Sequence, residues 1–441
     1  MKAFGTPYWL DWKRPFYPTF ETDTIADVAI VGAGITGLKL AAYLAKFGIK
    51  SVILEGNRVG SGASGRNQGS INHGGALSYT ACIGQHSRPV AKAAWQLGLE
   101  NHRLLRNQIE AWGIACDYQV DGFTYLSRGD LPSGEDASQS YRTDYELLNE
   151  DGFAVAYLDA ADAQALGGSS HYLNGFTYLT DAQFHAGKYV VGLANAVAQL
   201  PQVTLYENSR VLAIEPAGTT TRLRTKQATL TASHIFLATN ALVPQFVPEL
   251  APSLRAERGQ VFVTQPLDER PCVGSFGADM AWWREIIEPN GRFRLLFGGG
   301  RGRDEPDSLF PQFTAAGNQH PLLESEGFSP SEAHQARLDS QFAQLFPQLR
   351  HAKITHRWGG LQSFVADSFP QVGLLDPERN IYGIAGLCGR GNCYSNVAAV
   401  YLAGKIAGVV SKVEQQFGSL FETVMVVKRP LAAWPQWTSV Y

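Results

Sequence analysis

Residues Ala26–Glu55 read ADVAIVGAGITGLKLAAYLAKFGIKSVILE, and no other stretch of the chain restricts its fold as strongly. The apolar run Val28–Val31 predicts a buried strand. It meets Gly32-x-Gly34-x-x-Gly37, after which Leu38, Ala41, Ala42 and Ala45 recur at helical spacing. A second strand, Ser51–Leu54, ends on Glu55. Strand, glycine turn, helix and a second strand closed by an acid make a dinucleotide-binding βαβ unit. Gly32 permits the tight turn, Gly34 lets the backbone approach a pyrophosphate, and Gly37 lets helix and strand close up. Ile35 and Thr36 open the helix, whose unpaired N–H groups and positive dipole end favour phosphate. Glu55 is placed to accept hydrogen bonds from ribose hydroxyls and would repel a 2′-phosphate, which favours FAD or NAD over NADP.

At 441 residues two domains are the default. A net charge of −3 without a long basic run argues against nucleic-acid binding. Cys82, Cys116, Cys272, Cys388 and Cys393 are scattered, with no C-x-x-C pair. That pattern argues against a metal site or a disulfide framework and fits a reducing, cytoplasmic setting. The N-terminus lacks the apolar region of a signal peptide. Val397–Val410, the most apolar late segment, is short and carries Lys405, so it reads as a core helix and no membrane span is expected. Nothing in the composition speaks to oligomeric state.

Along the chain, an aromatic and proline-rich arm, Met1–Thr24, precedes the first strand. Helices are predicted over 89–113, 159–166, 184–200, 331–346 and 394–410. Strands are predicted within 117–126 and over 203–206, 211–214, 221–226, 234–238, 260–265, 280–287, 292–297 and 381–385, with polar connections at 127–140 and 301–330. Elements of the nucleotide-binding type at both ends and alternating strands between them predict two discontinuous domains. The fold class is α/β, a Rossmann-like unit with a second, mixed or antiparallel-sheet domain. The boundaries predicted are 1–90, 170–254 and 352–441 for the first domain, and 91–169 and 255–351 for the second.

Two further segments carry chemistry. Glu55–Gly75 has six glycines between Gly60 and Gly75, interspersed with Ser, Asn and Arg66. Such a loop can pass beside a flat, polar-edged ring and offer backbone donors. Ile381–Asn392 reads IYGIAGLCGRGN, a strand, a glycine-rich turn and a helix start. The helix start places a positive end above the turn, suited to the negative charge of a reduced flavin. Together the two segments resemble a flavin cradle.

With these motifs the chain resembles the FAD-dependent glycine/sarcosine/D-amino-acid oxidase family, most of all its γ-glutamylputrescine oxidase-like branch. The shared stretches are the Gly32–Glu55 unit, Gly62–Asn67, Tyr206–Val211, Ala238–Ala241, Arg258–Gln260, Trp283-Arg284, Leu296–Gly299, Trp358–Gly360 with Asp367, Pro370 and Gly373, and Gly386–Gly391. They span roughly residues 8 to 410. The resemblance implies FAD as cofactor, with Glu55 on the adenosine ribose and Val211 backbone at the adenine. It places Gly62, Ser64, Gly65, Arg66, Asn67, Gln68 and Gly69 along the isoalloxazine. Thr239 and Gly360 join the cofactor set, and Gly389, Arg390, Gly391 and Asn392 hold the pyrimidine edge and ribityl chain. Three positions depart from the family: Gln68 where glycine is common, Arg390 where histidine is common, and Cys393 where sarcosine oxidases hold the substrate carboxylate with lysine.

The implied activity is oxidation of the C–N bond of an amine or amino acid to an imine, by hydride transfer to flavin N5, with O2 reoxidising the flavin to give H2O2. Such chemistry needs orientation and a dry pocket more than acid–base machinery. His73, Trp283 and Arg284 are the pocket candidates. His73 follows the flavin loop and could set local charge. Trp283 and Arg284 are neighbours on a strand and face opposite ways, so one of them is expected to meet the flavin. No lysine lies between Lys226 and Lys353, which removes the lysine that sarcosine oxidases use with oxygen. A dehydrogenase passing electrons to a quinone or carrier, or a non-catalytic flavin-binding subunit, are the other readings.

Overall fold

A computed structural model describes residues 5–129, 138–278, 281–299 and 328–427. Its first sheet runs in the order Gln371–Asp376, Ile381–Ala385, Thr229–Leu237, Thr24–Val31, Ser51–Leu54, Val203–Tyr206. All neighbours are parallel except Gln371–Asp376, and the hairpin Ala213–Ala217/Thr220–Arg224 adds antiparallel to Thr229–Leu237. Parallel strands are covered on both faces, so near-continuous apolar runs suit them. Alternation sends Val28, Ile30 and Ile53 into one core and Ala29, Val31, Val52 and Leu54 into another. The first core also takes the helices Ile35–Lys46, Arg88–Ala111, Ala186–Ala198 and Gly391–Ala407. Register aligns Val31 with both Leu54 and Leu237, so the carboxyl ends of the three central strands open at one edge. Ligands bind at that edge in open α/β sheets.

The second sheet has eight strands, in the order Ile354–Phe364, Arg255–Thr264, Phe293–Gly299, Ala281–Ile287, Ser275–Ala278, Phe123–Arg128, Tyr172–Tyr178, Val155–Leu158. Ser275–Ala278 and Phe123–Arg128 are parallel and the other pairs antiparallel. One face is an aromatic core of Phe262, Phe276, Trp283 and Phe297 under the helix Glu332–Leu345, which supplies Leu338, Phe342 and Leu345. Fold class is as the sequence predicts, and several predicted elements fall within a few residues of the observed ones.

Four assignments shift. Tyr172–Tyr178 and Ile354–Phe364, placed by sequence with the first domain, are strands of the second sheet. Both mix polar, glycine and apolar residues, and Ile354–Phe364 pairs with a strand far earlier in the sequence, as Gly360 does with Gly259. Arg88–Ala111, most of which was placed with the second domain, packs its Ala94, Trp95 and Leu105 into the first core. The helix Ser138–Glu150 was read in part as a surface connection. It buries only Asp144 and Leu148, too faint a stripe to read from sequence. Most of the predicted 301–330 connection lies outside the described residues.

Candidate functional site

Two clefts, each of about 220 Å³, lie where the sheets meet. The first follows the carboxyl edge of the parallel sheet. Gly32, Gly34, Ile35, Thr36 and Glu55 of the βαβ unit line it, with Val211, Thr239, Gly62, Ser64, Asn67, Gly389, Gly391 and Asn392. Gly32 has φ +105°, a backbone state that a side chain resists. A Cβ on Gly34 would stand 2.9 Å from the Ser64 hydroxyl, which accepts from Ile35 N–H at 3.0 Å. Glu55 accepts from Ala33 N–H at 2.8 Å and from Asn57 N–H at 2.9 Å, which fixes its carboxylate at the strand tip.

Other glycines named for the cofactor serve packing. A Cβ on Gly37 would run into the Gly32 carbonyl, one on Gly65 into the Gly60 carbonyl, and one on Gly69 into the Phe184 carbonyl. None of the three lines a cleft. Gly65 and Gly69 shape the loop that does. Asn67 latches that loop: its amide donates to the carbonyls of Ala63 (3.0 Å) and Ser64 (2.9 Å) and its Oδ1 accepts from Gly69 N–H at 2.7 Å. Asn392 donates to Ser70 O at 2.9 Å, tying the loop to the last long helix. Arg66 donates to Ser61 O at 2.7 Å and Gly359 O at 3.0 Å, and burial pulls its pKa down to about 10.

The lining fits a dinucleotide carrying phosphates. Two helix N-termini, at Ile35–Thr36 and Gly391–Asn392, open onto one cleft, which Glu55 also lines. The Thr239 hydroxyl is buried there without a hydrogen-bond partner. A buried polar group lacking a partner is costly, and a bound ligand can satisfy it.

The second cleft shares Ala63, Asn67, Leu361, Gln362 and Gly389 with the first and reaches across the second sheet. Arg66, Gln68, Gly360 and Arg390 line it, as do Asn72, Phe123, Tyr125, Tyr141 and Trp282. His73, Trp283 and Arg284, the sequence's pocket candidates, line neither cleft. Trp283 is fully buried on the opposite face of its strand, stacked on Phe276 with ring centres 5.5 Å apart. Its neighbour Trp282 takes the cleft side, because adjacent strand residues face opposite ways. Arg284 is buried under the loop, donating to the carbonyls of Gly69 (3.1 Å), Phe184 (2.9 Å) and Glu285 (3.0 Å). Burial lowers its pKa to about 10, against the pull of Asp121 and Glu285. His73 is buried behind Asn72, its Nδ1 2.6 Å from Asp181 Oδ1.

Sequence reasoning missed Asn72, Tyr125, Tyr141, Trp282 and Gln362. Strand alternation left the choice between the Trp283 face and the Arg284 face open. Tyr141 sits on the unpredicted helix Ser138–Glu150 and gives no local signal.

Known proteins agree with this geometry. The chain is 26% identical over 406 residues to gamma-glutamylputrescine oxidoreductase of Escherichia coli K12, covering 88% of this chain and 84% of that one. The crystal structure of glycine oxidase from Geobacillus kaustophilus superposes with a TM-score of 0.72 at 19% identity, over 92% of this chain and 100% of that one. L-proline dehydrogenase from P. horikoshii gives 0.70 at 17% identity, over 92% and 100%. The DAO profile, FAD dependent oxidoreductase, matches residues 27–404, so the chain belongs to this family of FAD-dependent oxidoreductases.

Proposed function

We propose that the protein oxidises the C–N bond of an amine or amino acid to an imine, with O2 as the acceptor that returns FAD to its oxidised state. The observation that carries this reading is the second cleft, walled by Phe123, Tyr125, Tyr141 and Trp282 and continuous with the cofactor cleft through Asn67, Gln362 and Gly389. FAD, when bound, supplies the two-electron acceptor for a C–H bond beside a neutral nitrogen. The chain's own part is placement. Residues Ile35, Thr36, Thr239, Gly391 and Asn392 would hold the cofactor, and the aromatic walls would orient the substrate and exclude water. Among the described residues of the second cleft there is no Asp, Glu, His or Lys.

The names of the relatives support an amine substrate: one is a gamma-glutamylputrescine oxidoreductase, another a glycine oxidase, a third an L-proline dehydrogenase. Among the described residues no lysine lines either cleft, which favours a second reading with a quinone or carrier as acceptor. The test is an anaerobic panel of amines and D- and L-amino acids, followed by flavin absorbance. At least one member should bleach the bound flavin, and readmitted air should restore it with release of peroxide. No bleaching across the panel would defeat the amine reading. Bleaching without peroxide would move the acceptor to a quinone or carrier.

A further inference from the structure

The described lining of the second cleft holds no carboxylate, imidazole or amine, but such groups lie directly behind it. Asn392 lines the first cleft and Asn72 the second, and both lead back to one buried polar cluster. His73, next to Asn72, sets its Nδ1 2.6 Å from Asp181 Oδ1, and its backbone N–H donates to the same oxygen at 3.1 Å. The His102 ring lies 6.0 Å from the His73 ring and perpendicular to it. His102 comes from the helix Arg88–Ala111, where its neighbour Asn101 donates to Asn392 O at 2.7 Å. That helix approaches so closely that a Cβ on Gly98 would stand 2.9 Å from the His73 Cβ. His73, His102 and Asp181 are all buried. Yet His73 Nε2, Asp181 Oδ2 and both ring nitrogens of His102 make no hydrogen bond of normal geometry among the described residues. So many orphaned polar atoms in one place call for a function. The Asn72 and Thr180 carbonyls and Asp181 favour a charged His102, but burial outweighs them and holds its pKa below the usual imidazole value. The Tyr178 phenol, its ring 4.3 Å from His73, and the Cys393 thiol also face the cluster, and burial keeps both protonated. Arg390 acts on Cys393, and Asp144 and Tyr125 act on Tyr178.

We infer that His102, with the His73–Asp181 pair beside it, is a buried proton acceptor that fills when the flavin is reduced. The inference rests on FAD occupying the first cleft and is independent of the amine reading. A neutral imidazole keeps one nitrogen as an acceptor, and in His102 that nitrogen is engaged by no donor. Hydride transfer leaves the flavin one negative charge richer. A negative charge nearby favours the imidazolium over the neutral ring. A proton from solvent, or the one that an ammonium substrate gives up, then forms an N–H bond on His102. The imidazolium offsets the new charge, and no other bond changes. Asp181 supports the cation, and the His73 ring and backbone N–H hold Asp181 in place.

Electrochemical reduction of the holoenzyme tests this with no substrate present. The midpoint potential, followed from about pH 5.5 to about pH 8.5, reports how many protons accompany the two electrons. The wild type should show a range of pH in which one more proton is taken up than outside it. His102→Gln should lose that range. The substitution breaks no hydrogen bond of the ring, since the ring makes none. Absorbance of the reduced flavin tells whether the extra proton sits on the flavin itself. Histidine nitrogen-15 shifts of the wild-type holoenzyme, oxidised against reduced, read the same ring without any substitution and decide the matter if His102→Gln does not fold. One buried imidazole should pass from neutral to cationic on reduction. An identical proton count in the two proteins, an extra proton carried by the flavin, or imidazole shifts that reduction leaves unmoved would overturn the inference. A panel of amines that fails to bleach the flavin would sink the proposed activity and leave the proton count as it is.

Discussion

Lys39 is fully buried on the first helix, with its ammonium nitrogen donating to the Ser395 hydroxyl at 2.7 Å and lying 5.5 Å from the Tyr189 ring. Burial lowers its pKa from 10.5 to about 7, against a weaker opposing effect of Cys393. The unfolded chain takes up a proton below about pH 10.5 that the folded chain refuses until about pH 7. Stability therefore falls as pH drops through that window and levels off below it. Lys39→Met should raise stability near pH 7.5 by on the order of 2–4 kcal/mol and flatten the dependence. Urea midpoints of both proteins near pH 7.5 and near pH 10 measure it, and parallel shifts would show that Lys39 keeps its proton in the fold. The residue scale is also where sequence reading was least even. The glycines of the βαβ turn were legible because backbone sterics are local. The facing of Trp283 and Arg284 was not, because it depends on the phase of a strand and on a loop more than two hundred residues earlier in the chain.

Among the elements, the N-terminal arm governs the cofactor loop. Trp9 is fully buried, and its indole N–H donates to Asn67 O at 2.7 Å. Gly187 lies so close to the Trp9 carbonyl that any side chain there would collide with it. Trp9→Ala would remove that bond, open a cavity and free the segment that Asn67 organises. Such a change costs about 3–5 kcal/mol. FAD should also be held more loosely, and comparison of FAD retention with that of Trp12→Ala, a half-exposed neighbour, separates loop loosening from arm loss. Equal retention would place the loop's stability in Asn67 and Arg66 alone. The arm was visible in the sequence only as an aromatic stretch. Its target was not, since the Trp9–Asn67 bond joins segments with a strand, a helix and a strand between them. The strands Ser51–Leu54 and Ile381–Ala385 were readable because both faces are buried, whereas Ile354–Phe364, with its Thr, His, Arg and Gln, takes its identity from its partner strand.

The whole molecule is held across its middle by segments far apart in sequence. The first cleft alone draws on 31–36, 54–67, 210–211, 238–246, 361–363 and 384–392, and 361–363 belongs to a strand of the second sheet. A ligand that reaches only the Glu55 end touches the first sheet, whereas one that reaches Gln362 and Gly389 couples the two sheets. On the proposed reading FAD would be of the second kind and ADP, its adenosine half, of the first. Binding to the folded state stabilises by mass action, about 2.7 kcal/mol at a hundredfold excess over Kd. At matched saturation FAD and ADP should therefore raise the melting temperature of the apoprotein by similar amounts if only occupancy matters. The layout predicts more than occupancy. Hydrogen exchange in Gly60–Gly75 and Ile354–Phe364 should slow with FAD and stay near its apoprotein rate with ADP, while Thr24–Val31 slows with both. Equal protection of all three segments by ADP would mean that the sheets are already locked together before the flavin end arrives.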